Sequence, residues 1–541
     1  MKTMKYFLSM AALALVGAMT VSCSSDDNIT DQPQQPETKN NVVTLTTTVG
    51  LDGGATTRAL TNTGVKTFAV GETMAVIYHN GTSTVKAVSH ALEAGDITNE
   101  GKNATFTFDL ETPNKSGSVL YIYPAAMAGE TGVDITKLNT QEGTFDALQS
   151  KYDLCTNFGD WDGDNLPSLT LENLLAILAI TLKDEAGEND ITSGTTKLTV
   201  SDGTNTYNVN RDVAAGPIYV AILPTSGATI DVTATDGSKN YTKSLTNKTY
   251  EASKGYNVSW KMTQGANLSK LTDAYTAQNG DKLTGTLGGE YKISIAAGAT
   301  VTLKDADING SGTLSGDYAG ITCVGSATII LEGDNTVKGF NASYPGIYVP
   351  VDKTLTIQGT GSLTASPFDG GTDDSYGAGI GGGYELPCGN IVINSGTITA
   401  TGGCAAGIGG GANGSCGTIT ISGGTITATG GYKAAGIGDG WFGSCGNITI
   451  NGGTITATGG KDAPGIGGGD HGTCGTITIT SGVTEVTATK GSGATNSIGA
   501  GYGGSFGTVS IGGTVYWDGS AYKNGGDTYL TTSPLTYPAA P

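Results

Sequence analysis

The stretch Cys445-Gly-Asn-Ile-Thr-Ile-Asn-Gly-Gly-Thr-Ile-Thr-Ala-Thr-Gly-Gly460 decides the reading of this chain, because it recurs. Near-copies start at Cys388 and Cys416, and a looser one starts at Cys474. Repetition at a fixed period settles architecture before any single residue does. Working outward, a Gly-Ile pair recurs at 320–321, 346–347, 379–380, 407–408, 436–437 and 465–466, with Ser497-Ile498 as a degenerate seventh. Between the pairs lie two short β-type runs, "NIVI/TITI/NITI" and "TITAT". Three glycine-bounded strands per repeat cannot bury a face alone, but successive coils stacked on one another can. The expectation is a parallel β-helix of about eight coils over 265–514, rising about 4.8 Å per coil. Residues 515–541, with Trp517 and several tyrosines, abandon the period and are expected to cap the open sheet edge.

Period-2 alternation assigns the faces. Ile391/Ile393, Ile419/Ile421, Ile448/Ile450, Ile477/Ile479 and Val509/Ile511 should point inward, as should Ile398, Ile426, Ile455 and Val486. Threonines alternate outward, where β-branched residues suit solvated strands.

Residues 41–264 are of another kind: alternating runs such as "NATFTFDL" (103–110) and "PIYVAILP" (217–224), separated by turns such as "LDGG" and "HNGT". They read as one or two antiparallel β-sandwiches, divided as 41–170 and 171–264. The dense run "LENLLAILAITLK" (171–183) is compatible with a helix or a buried strand. The fold class is therefore all-β: antiparallel sandwiches followed by a parallel β-helix.

At the N-terminus, Lys2 and Lys5, an apolar run from Tyr6 to Met19 and small residues before Cys23 form a secretory leader over 1–22. Residues 23–40 form a polar tether without core-forming residues. The net charge of −20 excludes a nucleic-acid partner, whose phosphates need a basic surface.

Three resemblances follow. Thr20-Val21-Ser22-Cys23 resembles a bacterial lipobox, which implies an acylated Cys23 and a lipid anchor in the outer membrane, exposed at the cell surface. An ordinary leader with a stray cysteine is the plain alternative. "TTRAL" (56–60), "FAVGETMAVIY" (68–78), "ATFTF" (104–108), "YIYP" (121–124), "LAILAITL" (175–182), "YVAILP" (219–224) and "EASKGYNVSWKM" (251–262) are similar, in order, to the fimbrillin-like pilus proteins. That resemblance implies transthyretin-like sandwiches, proteolytic processing between Arg58 and Ala59, and pilin partners joined by strand addition. A solvated loop arginine is the plain reading of Arg58. The repeats also resemble glycine-rich β-helical modules of bacterial surface proteins, some of them carbohydrate-binding.

Candidate chemistry is sparse. Cys388, Cys416, Cys445 and Cys474 share one repeat position. In-register side chains point the same way, so a buried thiol stack is expected ahead of disulfides. Zinc is disfavoured, because a linear ladder makes no tetrahedron, and no cofactor or metal is expected. Asp439, Asp470 and His471 form the best catalytic trio available, but an acid–base site needs more than neighbouring residues. A polysaccharide lyase or hydrolase is thus the minor alternative to a non-enzyme. The loops after Gly-Ile-Gly vary while the frame does not, and place Tyr384, Asn413, Trp441, Phe442, Asp470, His471 and Tyr502 on one edge. Rings beside amide and carboxylate groups suit glycans; cover for wide corners is the plain alternative. Together these readings point to a surface-exposed pilus accessory or tip adhesin, with a non-pilus glycan-binding lipoprotein as runner-up.

Overall fold

The computed structural model describes residues 42–51, 67–111, 113–162, 164–212, 214–309, 318–368 and 375–538. Cys23, Arg58 and Ala59 lie outside the described residues. The chain forms two compact units, one ending at 237 and adding 242–263, the other made of 238–241 and 264–541.

In the first unit, strand Val42–Leu51 alternates outward Thr44, Thr46 and Thr48 with inward Leu45, Thr47 and Val49, the buried Thr47 hydroxyl donating to the Pro167 carbonyl. It pairs antiparallel with Asn103–Glu111, from Val42 opposite Glu111 to Gly50 opposite Asn103. Its last two residues pair parallel with Thr170 and Leu171. Strand Thr170–Asn173 also pairs antiparallel with Cys155–Asp162, which joins two sets of strands into one folded sheet. The inward rings of both sets meet in one core: Phe106 and Phe108 from one, Tyr78, Tyr121 and Tyr123 from the other. Phe108 and Tyr121 stack with centroids 6.5 Å apart.

The ambiguous run 171–183 is strand, not helix: Thr170–Asn173 and Ala176–Lys183. Ala176–Lys183 has Ile218–Ile222 antiparallel on one side and Gly255–Lys261 parallel on the other. Ala176–Ile180 is buried throughout, so alternation is lost and the run reads as uniformly apolar. Lys197–Ser201 lies antiparallel between Thr206–Asn210 and Thr225–Thr235.

The second unit is a parallel β-helix. Its Gly-Ile strands stack in one sheet from Tyr275–Ala277 to Ile498–Ala500, giving nine rungs among the described residues rather than eight. The extra rung is missed by repeat counting because Tyr275–Ala277 and Lys282–Thr286 carry rung backbone without the repeat's glycines. Like stacks on like: Ile391, Ile419, Ile448 and Ile477 are successive partners, as are Ile398, Ile426, Ile455 and Val486. All are buried. Burying one such side chain contributes about 1.5–3 kcal/mol.

The second glycine of Gly-Ile-Gly is obligatory. Gly409 and Gly438 have φ of 135° and 136°, and a Cβ on either would sit 2.0 Å from the carbonyl oxygen of the next coil. At the far end Thr514–Trp517 pairs antiparallel with Val509–Ile511, and Leu535–Tyr537 with Glu485–Thr489. Leu530, after a short helix at Gly526–Tyr529, is fully buried, and its carbonyl accepts from the Ser497 amide at 2.7 Å.

Candidate functional site

The varying loop follows each Gly-Ile-Gly strand and ends at the cysteine column. Glu385, Asn413, Phe442 and His471 occupy the same loop position, and all four are left-handed, with φ of 50°, 55°, 54° and 53°. Gly503 holds that position on the next coil, with φ 66°. The backbone is therefore fixed while the side chain varies, so residues of different chemistry are presented from one geometry.

The rings on this edge form a chain. Trp441 lies 5.2 Å from Phe442, Phe442 stacks on His471 at 5.0 Å, and His471 meets Tyr502 edge-on at 5.7 Å. Tyr384 packs at 5.2 Å on Tyr376. Tyr384 is 41% exposed, Phe442 51% and Tyr502 61%, and Asn413 is also exposed. Phe442 and His471 spend one face on each other, which leaves Tyr502 as the most open ring. Trp441 is half-buried, with its indole N–H enclosed and without an acceptor.

Asp470 does not line this edge. It is fully buried, because its carboxylate turns inward to Lys433, whose Nζ lies 2.7 Å away, and to His471 Nδ1 at 2.8 Å. Lys433 also sits over the Trp441 ring, 5.1 Å from its centroid. The hydrogen bond to Asp470 raises the Lys433 pKa and keeps it an ammonium. Lys433 and Tyr432, whose ring meets Trp441 edge-on at 6.4 Å, were missed in the sequence because they lie on the corner before Gly-Ile-Gly. The only signal was that this corner, too, varies between copies.

The catalytic trio does not assemble as a presented acid and base. Asp439 is fully buried, and its carboxyl faces the backbone amides of Gly440 and Thr473 rather than any side-chain partner. Burial pushes its pKa well above the usual carboxylate range. With Asp470 also enclosed, neither carboxyl faces a surface on which a sugar could lie.

The cysteine column departs from the expected thiol stack. Cys388 and Cys416 are joined by a disulfide, with Cα atoms 4.5 Å apart. The expectation failed because the spacing between coils alone brings two cysteine Cα atoms within the range a bridge spans, whether or not their side chains start in one direction. Cys445 and Cys474 carry thiols, and the Cys445 S–H donates to Cys474 Sγ at 2.8 Å. Among the described residues, no group of three or more His, Cys, Asp or Glu side chains is placed to hold a metal ion.

A known family description matches this frame: "Beta helix repeat", over 391–412, 419–441 and 448–470. Three coils of the wound unit match the beta helix repeat. Each matched segment runs from an inward Ile strand through "TITAT" and Gly-Ile-Gly and ends one residue before the left-handed loop position at Asn413, Phe442 or His471, so the match covers the frame. No curated protein matches the chain. Among solved structures, it is similar to a candidate cell adhesion protein from Bacteroides uniformis ATCC 8492, with 13% identity, 41% of this chain and 96% of that chain covered, and a TM-score of 0.25. It is also similar to a fimbrial assembly protein from Parabacteroides distasonis ATCC 8503, with 12% identity, 42% and 96% coverage, and a TM-score of 0.23. Scores at this level carry no argument about architecture or role.

Proposed function

We propose that the protein is a cell-surface adhesin, anchored by lipid at Cys23, whose β-helix offers the ring-bearing edge to glycans. The observation that carries the reading is the loop series itself. A rigid glycine-cornered frame holds one left-handed position constant on successive coils and varies the side chains there and at the position before it, where Tyr384, Trp441 and Tyr502 stand. Sites that bind extended ligands are built this way, from rigid elements with variable loops.

A pilus accessory or tip position is the finer part of the proposal. It is supported by the ordered fimbrillin-like motifs and by strand Val42–Leu51, which precedes Arg58. A cut between Arg58 and Ala59 would release a strand that fills nine paired positions against Asn103–Glu111, leaving a groove suited to a donated strand.

Glycan-array binding by the intact protein tests the ligand. Binding lost in Tyr502→Ala with the fold retained supports the edge; undiminished binding removes it. N-terminal sequencing of protein from isolated fimbriae tests the position. A start at Ala59 supports incorporation, whereas protein found only outside fimbriae and starting at Cys23 indicates a free-standing surface lipoprotein.

A further inference from the structure

The cysteine column holds more chemistry than one bridge. Cys416, Cys445 and Cys474 lie in register on the short strands Ser415–Cys416, Ser444–Cys445 and Thr473–Cys474. Phe506 takes the same place on the next strand, Ser505–Phe506, and ends the column. Cys388 consumes Cys416, so the remaining two sulfurs can pair only with each other. They already do so non-covalently: 2.8 Å is far inside the separation of two sulfur atoms that merely touch. In-register residues on neighbouring coils have Cα atoms about 4.8 Å apart, within the range that disulfides span.

We propose that Cys445 and Cys474 are a modification site: they close a second disulfide that, with Cys388–Cys416, staples four successive coils in two pairs. The leader-like N-terminus fits an oxidising compartment, where such bonds persist. Formation removes two protons and two electrons from the thiols. The oxidant required is a protein disulfide of an exported thiol-oxidising catalyst. One cysteine thiolate attacks that disulfide to give a mixed disulfide and a catalyst thiolate. The second cysteine thiolate then displaces the catalyst's other sulfur, which leaves as reduced dithiol. Both cysteines are at most 8% exposed, so the exchange belongs to the stage of folding before the corner closes over them.

The sequence makes the test direct. Lysines at 353, 433, 461 and 490 divide this region so that trypsin places Cys388, Cys404 and Cys416 in 354–433, Cys445 in 434–461 and Cys474 in 462–490. Full-length protein is quenched with acid at cell harvest, alkylated in denaturant and mapped without reductant. A 434–461 to 462–490 linked peptide is the expected result. Alkylated Cys445 and Cys474 would overturn the proposal, as would a 354–433 to 434–461 link, which means that Cys445 pairs with Cys388, Cys404 or Cys416 instead. In Cys474→Ser, Cys445 should become alkylated while Cys388 and Cys416 stay protected; loss of that protection argues against independent pairs.

Discussion

Lys433 and Asp470 meet at 2.7 Å across two coils, and the carboxylate in that pair has no exposure to solvent. A pair with one fully buried member is asymmetric: removing the cation strands a charge, whereas removing both is far milder. Lys433→Met should therefore cost about 1–3 kcal/mol in the rod's unfolding transition. Lys433→Met combined with Asp470→Asn should recover much of that loss. Denaturant unfolding, followed on the rod's own transition, measures both.

Asp439 sets a pH dependence of unusual sign. Burial raises its folded-state pKa above the unfolded value of about 3.9, so between those two values the folded chain holds a proton that the unfolded chain has lost. Stability from this group is then present at low pH and falls as pH rises through the window, by about 1.4 kcal/mol per unit. Asp439→Asn should stabilise the rod at neutral pH and lose that advantage near pH 4. Thermal melts of both proteins across pH check the crossing.

Gly438→Ala should cost about 3 kcal/mol or more, because a strained φ and a backbone collision act together. Gly298→Ala is the control. Its φ is 76°, but nothing lies near the added carbon, so only the smaller conformational penalty of about 1 kcal/mol remains. Comparing the two by chemical unfolding separates crowding from backbone strain.

Truncation after residue 513 would remove both strands that cover the last coil, Thr514–Trp517 and Leu535–Tyr537. The freed edge at Glu485–Thr489 and Val509–Ile511 should recruit other chains. Size-exclusion chromatography should show a shift to higher oligomers that the full chain does not make.

The wound half was legible because packing and repetition are the same fact there. Ile448 recurs because it must sit on Ile419 and under Ile477. Tyr275–Ala277 was invisible to that logic, since an end coil has a neighbour on one side only and need not copy it. Ala176–Lys183 was ambiguous because a strand buried on both faces loses its alternation. At the candidate site, residue positions were readable but directions were not. The left-handed backbone at His471, and the turn of Asp470 inward to Lys433, arise from contacts between coils that no linear spacing reports.

Because the upper surface of one coil matches the lower surface of the next, copying a phrase of the gene creates no interface that has not already been tried. Length is thus open to selection by simple duplication. Relatives of this molecule should differ in reach before they differ in build.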